Sequence, residues 1–183
     1  MLWGAASGAL ELRATDGGFR ISGAFPYGQD TELAPGRMER IEARAFAARI
    51  EAEGEDIHLL SGHDYGKPLA SRHAGTLQIR DTGEAVQIEA EISAGTSWAS
   101  DFLAAHRAGL IRGLSPGFRV ADGGERIERS GNAVLRSITR ADLFELSAVT
   151  RPAYPAAQIE ARSWAAKPSY QHDGIHPLKR WRL

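Results

Sequence analysis

The chain has 183 residues, 43% hydrophobic and 25% charged, a length and balance that suit one compact domain able to bury its own core. Lysine and arginine total 22 against 23 aspartate and glutamate, and the net charge of -1 gives no electrostatic reason to expect nucleic acid or a membrane surface as partner. Cysteine is absent, which excludes disulfides, thiolate nucleophiles and cysteine-held zinc or iron–sulfur groups, so covalent catalysis would have to use another residue.

Met1-Leu2-Trp3-Gly4 lacks a basic leader followed by a long apolar stretch, and every apolar run is broken by charge well before about 18 residues. The expectation is a soluble protein kept in the cytoplasm. Strands are predicted where apolar and polar residues alternate, at Phe19 to Ser22 and Ile57 to Leu60. A helix is predicted over Ile41 to Glu51 from the spacing of Ile41, Ala45, Phe46 and Ile50. Thr76 to Arg80 and Val86 to Ile92 flank the turn residues Asp81-Thr82-Gly83-Glu84 and predict a hairpin. A second helix is expected over Trp98 to Ala108, with Trp98, Phe102 and Ala105 as its stripe and Gly109 as its stop.

The strand pattern returns at Ile111 to Val120. A glycine-rich polar stretch from Asp122 to Asn132 precedes further strands at Val134 to Arg140 and Leu143 to Thr150, the last apolar on both faces apart from Glu145, Ser147 and Thr150. Many strands with two inserted helices predict a mostly β fold with a closed or nearly closed sheet. Residues 1–162 form the expected domain, and 163–183, aperiodic and mildly basic, read as a tail.

Three places can carry chemistry. Ser61-Gly62-His63-Asp64 lies where an apolar strand gives way to polar turn residues, so His63 can project into a cleft on a fixed backbone, or be an exposed turn histidine. Gly113-Leu114-Ser115-Pro116-Gly117-Phe118 interrupts a strand with a proline and two glycines. It reads as an ordinary bulge, or as a place where Ser115 presents its hydroxyl, with oxyanion donors supplied from elsewhere because Pro116 has no N–H. Glu145 sits among apolar residues, where a buried carboxylate needs a partner, either an arginine or a histidine N–H. His58 lies five positions before His63, on the opposite face of a continuous strand, which disfavours a shared metal shell.

Taken in order, these segments resemble the prohead protease family of tailed phages and prophages, from about Gly17 to Arg162. The marks are Ile21-Ser22-Gly23-Ala24-Phe25, Ala34-Pro35-Gly36 with Arg44-Ala45-Phe46, and Leu60-Ser61-Gly62-His63-Asp64 with Pro68-Leu69. They continue with Ile111 to Phe118 and with Leu143-Phe144-Glu145-Leu146-Ser147-Ala148-Val149-Thr150-Arg151-Pro152-Ala153. The resemblance implies an antiparallel β-barrel with inserted helices, similar to the herpesvirus assemblins. It also implies a serine endopeptidase with Ser115 as nucleophile, His63 as base and Glu145 as third member. Asp142 and Asp64 are the other acids for that place, and His73 fills it under the herpesvirus pattern, where a second histidine stands. Arg151 is an oxyanion candidate.

The implied substrates are the scaffold protein or the scaffolding segment of the major capsid protein, cut inside the assembling procapsid in the bacterial host cytoplasm, with the protease also cutting itself. Gene transfer agents carry the same kind of protein. No cofactor is implied, no nucleic acid or membrane partner is expected, and a homo-oligomer is left open. A catalytically inactive capsid-assembly or scaffold-binding module of the same fold is the first competing reading. A metal-dependent hydrolase using His58, His63, Asp64 and His73 is the second, though their spacing matches no tight ligand motif.

Overall fold

A computed structural model of the chain describes residues 10–15 and 18–150. The strands form where the sequence alternates. In β8 (Ala85–Ser93), Val86, Ile88, Ala90 and Ile92 point inward while Gln87, Glu89 and Glu91 point to solvent. It pairs antiparallel with β7 (Leu77–Asp81) through the predicted turn and with β2 (Gly18–Pro26), and β1 (Leu10–Thr15) completes a first sheet of four strands.

The second sheet runs β10 (Glu125–Ser130), β11 (Ala133–Ile138), β4 (Arg37–Ile41) and β3 (Asp30–Ala34). The third runs β6 (Asp64–Ser71), β5 (His58–Ser61), β12 (Ala141–Val149) and β9 (Gly113–Val120). Two short elements complete the described chain, α1 (Ala47–Glu51) and α2 (Ser97–Arg107). Thr96 caps α2 by accepting from the Ala99 N–H, and Gly109 follows at a φ of 71°. Its buried residues are Ala99, Phe102 and Leu103, and the Trp98 ring N–H donates to the Pro68 carbonyl at 2.9 Å, tying the helix to β6.

The expectation of a mostly β fold with inserted helices holds, but the expected antiparallel barrel does not: three separate sheets form and none closes. Among the described residues each sheet ends in two edge strands, β1 and β7, β10 and β3, and β6 and β9, so no ladder returns on itself. Two pairings, β11 with β4 and β5 with β12, are parallel. The first predicted helix, Ile41 to Glu51, is cut to its last turn: Ile41 ends strand β4, residues 43–46 form a turn with Arg44 at a φ of 60°, and only Ala47–Glu51 is helical. The glycine-rich stretch after Asp122 contains β10, and Tyr65 to Pro68, read as a turn, belongs to β6. The tail lies outside the described residues.

Aromatic packing joins the sheets. Phe46, fully buried, stands 6.5 Å from Phe25, 6.0 Å from Tyr27 and 5.4 Å from Phe118 by ring centroids, so the first and third sheets meet at one residue. In the second sheet the buried carboxylate of Glu39 meets Arg136 at 2.9 Å, and Arg136 also binds Glu125. Breaking a buried charge pair by removing one partner is strongly destabilising, so Arg136→Ala is expected to lower unfolding free energy by about 3–5 kcal/mol. Urea denaturation measures this; a loss below about 1 kcal/mol would show that the pair is not the buried anchor described.

Candidate functional site

The site is built on β12, the strand that lies between β5 and β9. Against β9 its register pairs Leu143 with Phe118, then skips Phe144 and pairs Glu145 with Gly117, Leu146 with Pro116, Ser147 with Ser115 and Ala148 with Leu114. Cross-strand partners share a face. One face of this pair therefore carries Phe118, Pro116, Leu114, Leu143, Leu146 and Ala148, all buried. The other carries Ser115, Gly117, Glu145 and Ser147. The extra residue at Phe144 is a β-bulge, and it allows Leu143 and Leu146 to point into the core while Glu145 and Ser147 point away from it.

His63 reaches this face from the β5–β6 connection. Ser61 pairs with Asp64 across a loop of two residues, Gly62 at φ 67° and His63 at φ 62°. Positive φ at both central positions is the requirement of a tight type I′ turn, and a histidine there is among the uncommon non-glycine residues in that region. The turn is held from β12: Gly62 N–H donates to the Ala148 carbonyl at 3.1 Å and His63 N–H to Ser147 Oγ at 2.9 Å. The imidazole then meets Glu145, Nδ1 to Oε1 at 2.8 Å, and the second carboxylate oxygen, Oε2, accepts from the Ser147 hydroxyl at 2.6 Å. The Glu145 side chain is 5% exposed and that of His63 35%, so the carboxylate is buried beneath a partly open ring.

A histidine whose Nδ1 donates to a carboxylate has Nε2 free as a base. Ser115 is the direct cross-strand neighbour of Ser147, the residue that also contacts His63 and Glu145. Three of the residues singled out in the sequence, Ser115, His63 and Glu145, thus converge on one face of one sheet. The alternatives for the third place lie elsewhere. Asp142 faces Arg119 at 3.9 Å, and Asp64 accepts from the Gly66 N–H and pairs with Lys67.

His58 is the β5 cross-strand partner of Glu145, but its ring goes to Asp56, which takes the Ser71 hydroxyl at 2.6 Å, the His73 N–H at 3.0 Å and the His58 ring at 3.3 Å. Burial acts to raise the Asp56 pKa, but these donors outweigh it and hold the carboxyl below its usual range. Among the described residues no group of three metal-ligating side chains converges. Arg151 lies outside the described residues.

Two residues of the site were not identified from sequence. Ser147 was noted only as a polar exception in an apolar strand, yet its position two residues after Glu145 is the signal that the two share a face. Gly117 was read as an interruption, and its role is to leave space: a Cβ there would stand 1.9 Å from Glu145 Oε1. Tyr65, 60% exposed, sits at the rim with its ring 5.8 Å from that of His58, its phenol pKa raised by partial burial and then by the Glu145 charge.

Gly117→Ala is expected to push the carboxylate off His63 while the sheets persist. The downfield ring N–H proton resonance that a 2.8 Å contact gives would then disappear from the NMR spectrum. An unchanged resonance would mean that the carboxylate can be accommodated elsewhere.

The comparisons with known proteins bear on the whole chain. Neither the curated proteins nor the solved structures gave a match. The model of one family, caudovirus prohead serine protease, matches residues 8–172, which include every element of the site. With nearly all of its length matched, the chain belongs to the caudovirus prohead serine protease family.

Proposed function

We propose that this protein is a serine endopeptidase of procapsid maturation in which Ser115 is the nucleophile, His63 the general base and Glu145 the group that orients and charges the histidine. The observation that carries the reading is the 2.8 Å contact of His63 Nδ1 with a buried carboxylate, on the same face of the sheet as Ser115. Nδ1–H donates to Glu145, so Nε2 accepts the Ser115 proton as Oγ attacks the peptide carbonyl carbon. The resulting imidazolium is stabilised by the carboxylate and then protonates the departing amine as the C–N bond breaks. Water, deprotonated by the same nitrogen, next attacks the acyl carbonyl carbon; the bond from that carbon to Ser115 Oγ breaks, and His63 Nε2 gives its proton to Oγ.

The family supplies the setting. The substrates proposed are the scaffold protein or the scaffolding segment of the major capsid protein inside the procapsid in the bacterial cytoplasm, together with the protease's own chain. No described helix is long and apolar enough to cross a membrane. Arg151 is proposed to contribute to oxyanion binding.

One observation favours a second reading, a catalytically inactive capsid-assembly module: Ser115 is only 4% exposed. Fluorophosphonate labelling separates the two, since a poised serine is acylated and an inert one is not. Ser115→Ala is expected to abolish labelling and to reduce cleavage of a co-expressed capsid precursor by about 10⁵-fold or more. Wild-type cleavage in that variant would end the protease reading. Glu145→Gln is expected to cost about 10³–10⁴-fold, because an amide no longer holds the ring tautomer and charge. Unchanged turnover there would move the third role to another residue.

A further inference from the structure

We infer that Ser147 is a positioning residue of this site, a buried hydroxyl that locks the histidine turn and the carboxylate into one unit. The inference rests on the catalytic reading of Ser115, His63 and Glu145. Ser147 has no exposed surface, and its single hydroxyl is used twice, accepting the His63 backbone N–H at 2.9 Å and donating to Glu145 Oε2 at 2.6 Å. One side chain therefore fixes both ends of the 2.8 Å contact between the imidazole and the carboxylate.

Neither end is held well without it. His63 sits at a φ of 62°, where a non-glycine residue needs its surroundings to keep it, and its N–H loses its acceptor once the hydroxyl is removed. Glu145 would keep one donor, the histidine ring, and its second oxygen would be left to swing.

Of the other titratable groups around the pair, His58, the β5 cross-strand partner of Glu145, has its ring 3.3 Å from Asp56; from β6, Asp64 faces Lys67 and Tyr65 lies at the rim; from β9, Arg119 faces Asp142; from α1, Arg49 lies over the Phe144 ring.

The test is the rate of fluorophosphonate acylation against probe concentration in the wild type, Ser147→Ala, Ser147→Thr and Ser115→Ala. Ser147→Ala is expected to lose about 10–100-fold in the maximal acylation rate with little change in the concentration dependence. Ser147→Thr keeps the hydroxyl and is expected to recover most of the rate. The downfield ring N–H resonance of the contact between His63 and Glu145, followed by NMR in the inactive Ser115→Ala background, is expected to be lost with Ser147→Ala and kept with Ser147→Thr. A purely structural role would lower the unfolding midpoint while leaving that resonance in place.

A folded Ser147→Ala protein with wild-type rate and ring N–H resonance, beside a Ser115→Ala protein that does not label, overturns this inference alone. Labelling that survives Ser115→Ala overturns the catalytic reading beneath it. If alanine prevents folding, Ser147→Cys, with similar bulk and a weaker donor, supplies the same two measurements; a wild-type rate and resonance there are equally fatal.

Discussion

A buried carboxylate next to a histidine is the constraint around which this protein is arranged, and a single extra residue in one strand makes it available. Were β12 to alternate without interruption, Leu143, Glu145 and Ser147 would share one face, and either the leucine would leave the core or the carboxylate would enter it. The bulge at Phe144 resets the alternation, so that Leu143 and Leu146 both pack inward while Glu145 and Ser147 face the other way. The displaced Phe144 is covered by the guanidinium groups of Arg49 and Arg119, at 5.4 and 5.3 Å from its centroid. Desolvating Glu145 is unfavourable, and the histidine ring and the Ser147 hydroxyl, one at each oxygen, offset it.

The other parts of the site follow from that carboxylate. Position 117 must lack a side chain because the carboxylate occupies the space. The loop at Gly62-His63 must be two residues long and left-handed so that the ring arrives over Oε1, and a non-glycine residue in that conformation costs about 1–2 kcal/mol. Strain of that size persists when neighbouring contacts over-determine the backbone, here the bonds from Gly62 to Ala148 and from His63 to Ser147. Pro116 fits because β9 lies at the edge of its sheet, where a missing donor N–H is tolerated. The Ser-Pro-Gly segment thus combines a serine facing the site, a residue suited to an edge and a gap for the carboxylate.

Burial also determines how the pair can act. With Glu145 almost sealed and His63 a third exposed, the interaction between carboxylate and imidazolium is screened less than it would be at a free surface. The supports of the site are in turn core elements: β12 is paired on both sides, and its apolar face joins the cluster that contains Phe46 and Phe118. The matched family region, residues 8–172, contains the whole of this histidine–carboxylate arrangement.

The strands with clear alternation, such as β2 and β8, and the capped helix α2 could be read from the sequence because their burial pattern is local and periodic. The candidates Ser115, His63 and Glu145 could be named because each is a polar residue where the surrounding pattern calls for something else. The strand β6 was hidden by its exposure, with five consecutive surface residues, and the helix expected from Ile41 is short because its apolar spacing runs through a turn with Arg44 at positive φ. Parity between His58 and His63 misled in its premise, since the strand ends at Ser61 and the turn reverses the chain. Composition and pattern therefore determined the β-rich class, the absence of cysteine chemistry and the residues able to carry a reaction. Sheet closure, the register slip at Phe144 and the meeting of His63, Glu145 and Ser147 depend on which strands pair and where, and pairing between residues distant in sequence leaves no period in the chain to read.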